Sequence, residues 1–459
     1  MSPPDPQSAR AFTAGPSPDR LKAEPRRLDP QLAREFAVQV VMRLREAGFA
    51  ALWAGGCVRD RLLGLEPKDY DVATDAVPEQ IRAVFGRRKT LAIGQAFGVI
   101  TVLGPRGAGQ IEVATFRRDG GYSDGRHPDQ VTFCNDREDA LRRDFTINGM
   151  FFDPLENRVV DYVGGQQDLQ RRLVRAIGDP AARFAEDKLR MLRAVRFAAT
   201  FQFALDPATL AAIQRQAGDL GVVSAERIGG EIRRMLVDRQ RARAVELLAA
   251  AGLLTIVFPE LGALVPPVPP ASANESVSAS PWAAWQTIVA ILRSLETSAF
   301  SVALAALVRE AFRRESGGVD DIEPLCRRLK LTAADRKESE FLLRHETAIR
   351  TARSLPWPRL QRILIRDGAA DLVSYGRAVA TVVDGHTADI DYAAQCLAQP
   401  MAQLNPPPLI TGDDLCRLGI PAGPEYKRIL DTVRDAQLEQ RIVTTREALE
   451  LALHLSRTS

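Results

Sequence analysis

Histidine and cysteine are scarce in this chain of 459 residues, which has four of the first and five of the second. The cysteines (Cys57, Cys134, Cys326, Cys396, Cys416) show no CxxC spacing, which argues against a structural zinc site and offers no disulfide framework. The histidines (His127, His345, His386, His454) show no metal-ligand spacing either. No uncharged apolar run approaches the length of a membrane span, and the N-terminal stretch lacks the apolar core of a signal peptide. Residues 1–28 are therefore expected to be a disordered leader, and a reducing cytoplasm is the expected location. Net charge is only +3, so any basic surface has to be local.

What is present is an ordinary globular composition, 46% hydrophobic and 26% charged, in a chain too long for one core. After Asp29-Pro30, a capping signal, "QLAREFAVQVVMRLREAGF" has helical spacing and stops at Gly48. "AALWAGG" reads as a short strand entering a glycine pair, and "CVRDRLLG" as a helix. Between 68 and 116 strand-like and helix-like pieces alternate ("DYDVAT", "PEQIRAVF", "FGVITVLG", "QIEVATF"), which predicts a mixed α/β domain. From about 166 onwards the periodicity is helical. Two Pro-rich intervals, 265–281 and 400–409, read as loops.

Asp69 and Asp71 stand one residue apart in "KDYDVAT". On a strand they project from one face while Tyr70 points the other way. Two adjacent carboxylates repel unless a cation sits between them, and magnesium suits such a pair because it keeps open positions for water and phosphate. An isolated pair of this kind is more often a solvated strand end. Upstream, "GGCVRD" (55–60) carries a chain from strand to helix across two glycines. There the backbone can approach a bulky anion, with Arg59 one turn in. It matches neither a Walker A loop nor a dinucleotide-binding fingerprint. Glu112 interrupts the apolar strand "QIEVATF", and Arg117 follows it. If that strand neighbours the aspartate strand, Glu112 completes a carboxylate cluster; otherwise it is an edge-strand charge facing water.

Taken together, "GGCVRDRLLGLEPKDYDVAT", "EVATFR", "RRDFTINGMFFDP", "DYVGGQQDL" and "RFAEDKLRMLRAVRFA" resemble the class II tRNA nucleotidyltransferases (CCA-adding enzymes) and bacterial poly(A) polymerases of the polymerase-beta-like superfamily. The ordered set spans roughly residues 50–240, and "LITGDDLCRLGIPAGPEYKRILDTVRDAQLEQRI" resembles the C-terminal part of family members. The resemblance implies an α/β nucleotidyltransferase head (29–165) followed by an all-α neck (166–240), body (241–400) and tail (401–459). It implies addition of CMP and AMP from CTP and ATP to the 3′ end of tRNA, with no membrane and no protein partner called for. Asp69 and Asp71 match the family's Mg2+ pair, and Glu112 an auxiliary acid. Gly55, Gly56 and Arg59 match the triphosphate-holding turn, and Arg117 a further nucleotide-contacting arginine.

The resemblance also implies that Asp187 and Arg190 choose the base. As i,i+3 neighbours on one helix they would present a carboxylate acceptor and a guanidinium donor to a single base edge. Cytosine and adenine both offer an amino donor beside a ring-nitrogen acceptor; uracil and guanine put a carbonyl where the amine would be. Arg193 and Arg196 match positions near the nucleotide. The bland alternative is a surface ion pair between Asp187 and Arg190. Asp144 and Asn148 of "RRDFTINGM" either brace the sheet or serve the sugar and triphosphate; a structural Asn148 and a ribose- or arginine-positioning Asp144 are expected.

The glycine-rich stretch between Arg117 and Cys134 reads as a mobile loop. In the family, a loop at this place accompanies the switch from C to A addition. Residues 171–243 hold fifteen Lys or Arg against eight Asp or Glu, as expected of a helical stretch near RNA phosphates. No HD dipeptide occurs, so an appended phosphohydrolase domain is not expected. The rival readings are a poly(A) polymerase, an enzyme adding only CC or only A, and a catalytically silent RNA-binding protein that kept the fold.

Overall fold

The computed structural model describes residues 28–120, 130–265, 281–313 and 321–457. Nearly all of the expected leader, the core of the glycine-rich loop and nearly all of the interval 265–281 lie outside the described residues.

Helix α1 (Pro30–Glu46) starts where a cap was expected: the Asp29 carboxylate accepts the N–H groups of Gln31 (2.9 Å) and Leu32 (3.3 Å). Its apolar face, Phe36, Ala37, Val40, Val41 and Leu44, is buried. The chain then forms β1 (Ala51–Ala54), buried throughout, α2 (Gly56–Leu62), β2 (Asp71–Thr74), α3 (Pro78–Phe85), β3 (Thr90–Leu91), β4 (Val99–Leu103) and β5 (Gln110–Thr115). A short ribbon, β6 (Arg117–Gly120) with β7 (Gln130–Phe133), flanks the glycine-rich loop, so that stretch is shorter than the span between Arg117 and Cys134. After α4 (Asp136–Leu141), β8 (Phe151–Asp153) and β9 (Arg158–Val160) complete a seven-stranded sheet of order β3-β4-β5-β2-β1-β8-β9. Only β2 and β5 pair in parallel; the other neighbours are antiparallel.

Contacts divide the chain into two units. One holds residues 1–117, 133–136 and 151–160, and with them the sheet; the other holds 118–132, 137–150 and 161–459. Segment 137–150 therefore belongs with the helices, because its apolar residues pack there: the Phe145 ring meets the Phe197 ring edge-on at 5.8 Å.

The second unit continues through α5 (Gly165–Gln170), α6 (Pro180–Glu186), α7 (Leu189–Thr200), α8 (Pro207–Gln216), α9 (Ala225–Leu236) and α10 (Arg241–Ala250). Further on, the helix Phe300–Phe312 is buried on almost every side, as its apolar sequence dictates. Inside it Arg309 is held by Glu346, Nε to Oε2 at 2.7 Å and Nη2 to Oε1 at 2.8 Å. The last helices, Gly412–Arg417, Pro424–Leu438 and Thr445–Arg457, enclose a separate small core of Ile410, Leu415, Ile429, Val433, Ala448 and Ala452. Thr411 and Asp414 close a capping box at the first of them. Among the described residues no helix is long and apolar enough to cross a membrane.

Candidate active site

Asp71 opens β2 and is exposed, whereas Val72, Ala73 and Thr74 behind it are buried. Asp69 is also exposed, but it stands in a bend ahead of the strand rather than on it, which corrects the expectation of one strand from Asp69 to Thr74. The alternation survives because Tyr70 is anchored. It is buried against Trp53, with ring centroids 4.8 Å apart, so Asp69 and Asp71 on either side of it reach solvent.

In the parallel pairing of β2 with β5, Asp71 lies directly opposite Glu112, and Glu112 is exposed too. Residues opposite one another on adjacent strands share a face, so these two carboxylates stand side by side. Strand β5 lies between β4 and β2, so Glu112 is not on an edge. A complete three-acid cluster does not form, however: among the described residues no group of three or more His, Cys, Asp or Glu could hold a metal. Asp69 sits off the strand and out of the β2–β5 register.

Strand β1 pairs antiparallel with β2, placing Ala54 opposite Asp71. The turn that follows β1 therefore lies at the acidic end of the sheet. Gly55 makes that turn with φ +74° and ψ −125°, a conformation strained for any residue with a Cβ. Gly56 begins α2. Arg59 on α2 is 8% exposed, and its Nε and Nη2 donate to Asp60 Oδ1 at 2.9 and 2.7 Å. Arg117, just beyond β5, donates to the Phe97 carbonyl.

The remaining expected site residues belong to the helical unit. Asp144 and Arg193 are brought together, Nε and Nη2 donating to Oδ2 at 2.9 and 2.6 Å. Burial pushes the Asp144 carboxyl up. The Arg193 guanidinium, the Asn148 amide and the Phe145 N–H outweigh that and hold it below the usual carboxylate range. Arg142 and Arg143 both reach the buried Asp139 carboxylate, at 2.5 and 2.8 Å.

Asp187 and Arg190 are not on one helix. The chain breaks at Asp187, whose backbone is extended (φ −141°, ψ 103°) between α6 and α7, so i,i+3 spacing does not make the two a pair. The break is stabilised locally, since Asp187 Oδ1 accepts the Leu189 N–H at 3.1 Å. Each residue has a partner of its own instead. Arg227 on α9 grips Asp187 with both terminal nitrogens, Nη1 to Oδ1 at 3.2 Å and Nη2 to Oδ2 at 2.8 Å. Arg190 Nη1 donates to Glu186 Oε2 at 2.6 Å and to the Arg183 carbonyl at 3.1 Å. Arg196 turns away to Glu231 (2.6 Å), with its guanidinium 4.2 Å from the centre of the Phe197 ring. Sequence reasoning missed Arg227, Glu186, Glu231 and Asp139. The first and third lie 40 and 35 residues from their partners, and no local pattern announces them.

The mixed sheet, its parallel β2–β5 pair and the acidic end beside the Gly55 turn define a polymerase-beta-like nucleotidyltransferase head, followed by a helical region. Residues 51–175 match the "Poly A polymerase head domain", and residues 202–264 the "Probable RNA and SrmB- binding site of polymerase A". Residues 51–175 and 202–264 are thus similar to the head and RNA-binding regions of the poly(A) polymerase family.

A CCA-adding enzyme of Limosilactobacillus fermentum is 44% identical over 206 residues, 45% of this chain and 50% of that one. One from Geobacillus stearothermophilus is 41% identical over 218 residues, 47% of this chain and 53% of that one. The chain thus spans about half the length of the curated relatives it matches. The crystal structure of the Bacillus stearothermophilus CCA-adding enzyme in complex with CTP is similar over 93% of this chain and 98% of that one, with 27% identity and a TM-score of 0.71. The Thermotoga maritima CCA-adding enzyme complexed with tRNA shares the fold, at 18% identity and a TM-score of 0.63 over 93% and 96% of the two chains. Nucleotidyltransferases of this family generally use divalent metal ions.

Proposed function

We propose that this protein is a template-independent RNA nucleotidyltransferase that adds CMP and AMP, from CTP and ATP, to the 3′ end of tRNA in the cytoplasm. The observation that carries the reading is the exposed acidic end of the head sheet. Asp71 stands in register with Glu112, and Asp69 stands two residues ahead, beside a glycine turn that only glycine adopts without strain.

Asp69 and Asp71 are hard oxygen donors that fit magnesium, an ion content with one or two protein carboxylates when phosphate oxygens and waters fill its octahedron. When bound, the ion supplies activation of the RNA 3′-hydroxyl and neutralises charge on the triphosphate and the departing pyrophosphate. Glu112 adds negative charge beside Asp71 and helps to orient it. The Gly55–Gly56 backbone admits the triphosphate, and Arg59 and Arg117 supply positive charge to it.

In the helical unit, Asp187 accepts the exocyclic amine of cytosine or adenine while Arg190 donates to the neighbouring ring nitrogen. A carbonyl in place of the amine would leave the carboxylate unmatched. Asp144 holds Arg193 ready for the nucleotide, and Arg196, tied to Glu231, stiffens α7 against α9. Along the chain the proposed division is a leader (1–28), head (29–165, of which 137–150 groups by its contacts with the helical unit), neck (166–240), body (241–400) and tail (401–459).

Purified protein with Mg2+ is offered tRNA transcripts lacking three, two or one of the terminal CCA nucleotides, together with an unrelated RNA, each with single nucleotides. Ordered addition of C, C and A to tRNA alone is expected. Long A tails on any RNA would make it a poly(A) polymerase, and arrest after CC or addition of A alone would narrow the activity. No incorporation at all would leave an RNA-binding protein.

A further inference from the structure

Resting on the base-selecting role of Asp187, we infer that Arg227, at the start of α9, is the positioning residue that sets nucleotide discrimination by fixing the Asp187 carboxylate. An ionised carboxylate has about four lone-pair sites. On Asp187, Oδ1 accepts both the Leu189 N–H and Arg227 Nη1, while Oδ2 accepts Arg227 Nη2. One acceptor site remains, on Oδ2, and it is matched to one N–H donor such as the exocyclic amine of cytosine or adenine. A two-pronged guanidinium contact also fixes the plane of the carboxylate, which a single hydrogen bond does not. Both side chains keep part of their surface in solvent, 21% for Arg227 and 16% for Asp187.

The same contact prevents a competing one. Asp187 and Arg190 are three residues apart and of opposite charge, and the attraction between them would tie up both groups meant for the base. Arg227 occupies Asp187 and Glu186 occupies Arg190, each with its own partner, so the two reading groups stay separate. Without Arg227 the carboxylate regains its rotamers and its spare lone pairs, and it can turn to another arginine such as Arg190 or Arg193, whose charge it already feels.

The test compares wild type with Arg227→Ala, Arg227→Lys, Asp187→Ala and the double Asp187→Ala/Arg227→Ala variant. Incorporation of C, U, A and G is measured separately on a tRNA transcript, and thermal melts confirm folding. In Arg227→Ala the preference for CTP over UTP and for ATP over GTP is expected to fall about tenfold, the scale of one lost charge-assisted hydrogen bond. Arg227→Lys recovers part of it. The double variant is no less selective than Asp187→Ala alone, because Arg227 acts only through Asp187.

A purely structural role would slow all four nucleotides alike. Unchanged selectivity in Arg227→Ala beside lost selectivity in Asp187→Ala overturns this inference and leaves the base-selection reading standing. So does independent, additive loss in the double variant. An Asp187→Ala enzyme that still rejects UTP and GTP overturns the base-selection reading and the inference with it. Should Arg227→Ala fail to fold, the Arg227→Lys enzyme decides: full wild-type selectivity overturns the inference, and partial loss supports it.

Discussion

The acids at the end of the head sheet and the ionic side chains inside the helical unit are opposite solutions to one electrostatic problem. Asp69, Asp71 and Glu112 sit at the surface, where water screens their repulsion and a cation can reach them. Arg309 and Glu346 are withdrawn from water, with side chains 1% and 4% exposed, and are tolerable there because each satisfies the other, with Glu310 and Arg350 completing the ionic cluster. Burial pushes the Arg309 guanidinium towards losing its proton, and the hydrogen-bonded Glu346 more than reverses that. The acids proposed to hold a cation are left at the surface of the head sheet, whereas Arg309 and Glu346, which join two helices, are buried together. Removing one of the first kind should abolish activity without unfolding the protein, and removing one of the second kind should do the reverse.

The sharpest break in this contrast is Asp71→Ala. Nucleotide incorporation is expected to fall by at least about a hundredfold, the scale of losing one preorganised electrostatic group, with an unchanged melting temperature. A large drop in melting temperature would place Asp71 with the structural charges. Arg309→Ala is the mirror experiment: loss of about 3 kcal/mol of stability in urea unfolding, because Glu346 is left buried with less compensation.

Asp144 lies between the two kinds. Its carboxyl is held below the ordinary range in the folded protein, so the stability it contributes is present above the unfolded carboxylate pKa and lost as pH falls through the folded one. Asp144→Asn should therefore cost about 2 kcal/mol at neutral pH, a figure reduced because Arg193 is 34% exposed. The gap from wild type should close on acidification, as followed by denaturant midpoints at several pH values. The smallest effect is expected at Arg446, which pairs with Glu450 at the surface, the two side chains 88% and 63% exposed: Arg446→Ala should not shift the melting temperature measurably.

Alternation and glycine made much of the head legible in advance. Tyr70 between two aspartates, an acid inside "QIEVATF" and a glycine pair after an apolar strand are local patterns, and pairing of neighbouring strands turns them into neighbouring residues. The helical unit was less transparent. Spacing arithmetic for Asp187 and Arg190 presumes an unbroken helix, and the break at Asp187 came from a side-chain cap that competes with helix continuation. Partners drawn from α9 leave no trace in a window of ten residues, because long-range ion pairs follow helix packing rather than periodicity. Asp144 is intermediate: its polarity beside Phe145 and Ile147 signalled a role, while the identity of its partner, 49 residues away, did not.

The pairing of β2 with β5 also proofreads itself. Sliding β5 by a single residue would set Ile111 or Val113 against Asp71 and turn Glu112 into the dry layer that those two now fill. Hydration of one carboxylate thus guards the alignment of the other. Single-residue insertions or deletions between Thr74 and Gln110 should accordingly be absorbed in the connecting turns, never as a shifted ladder.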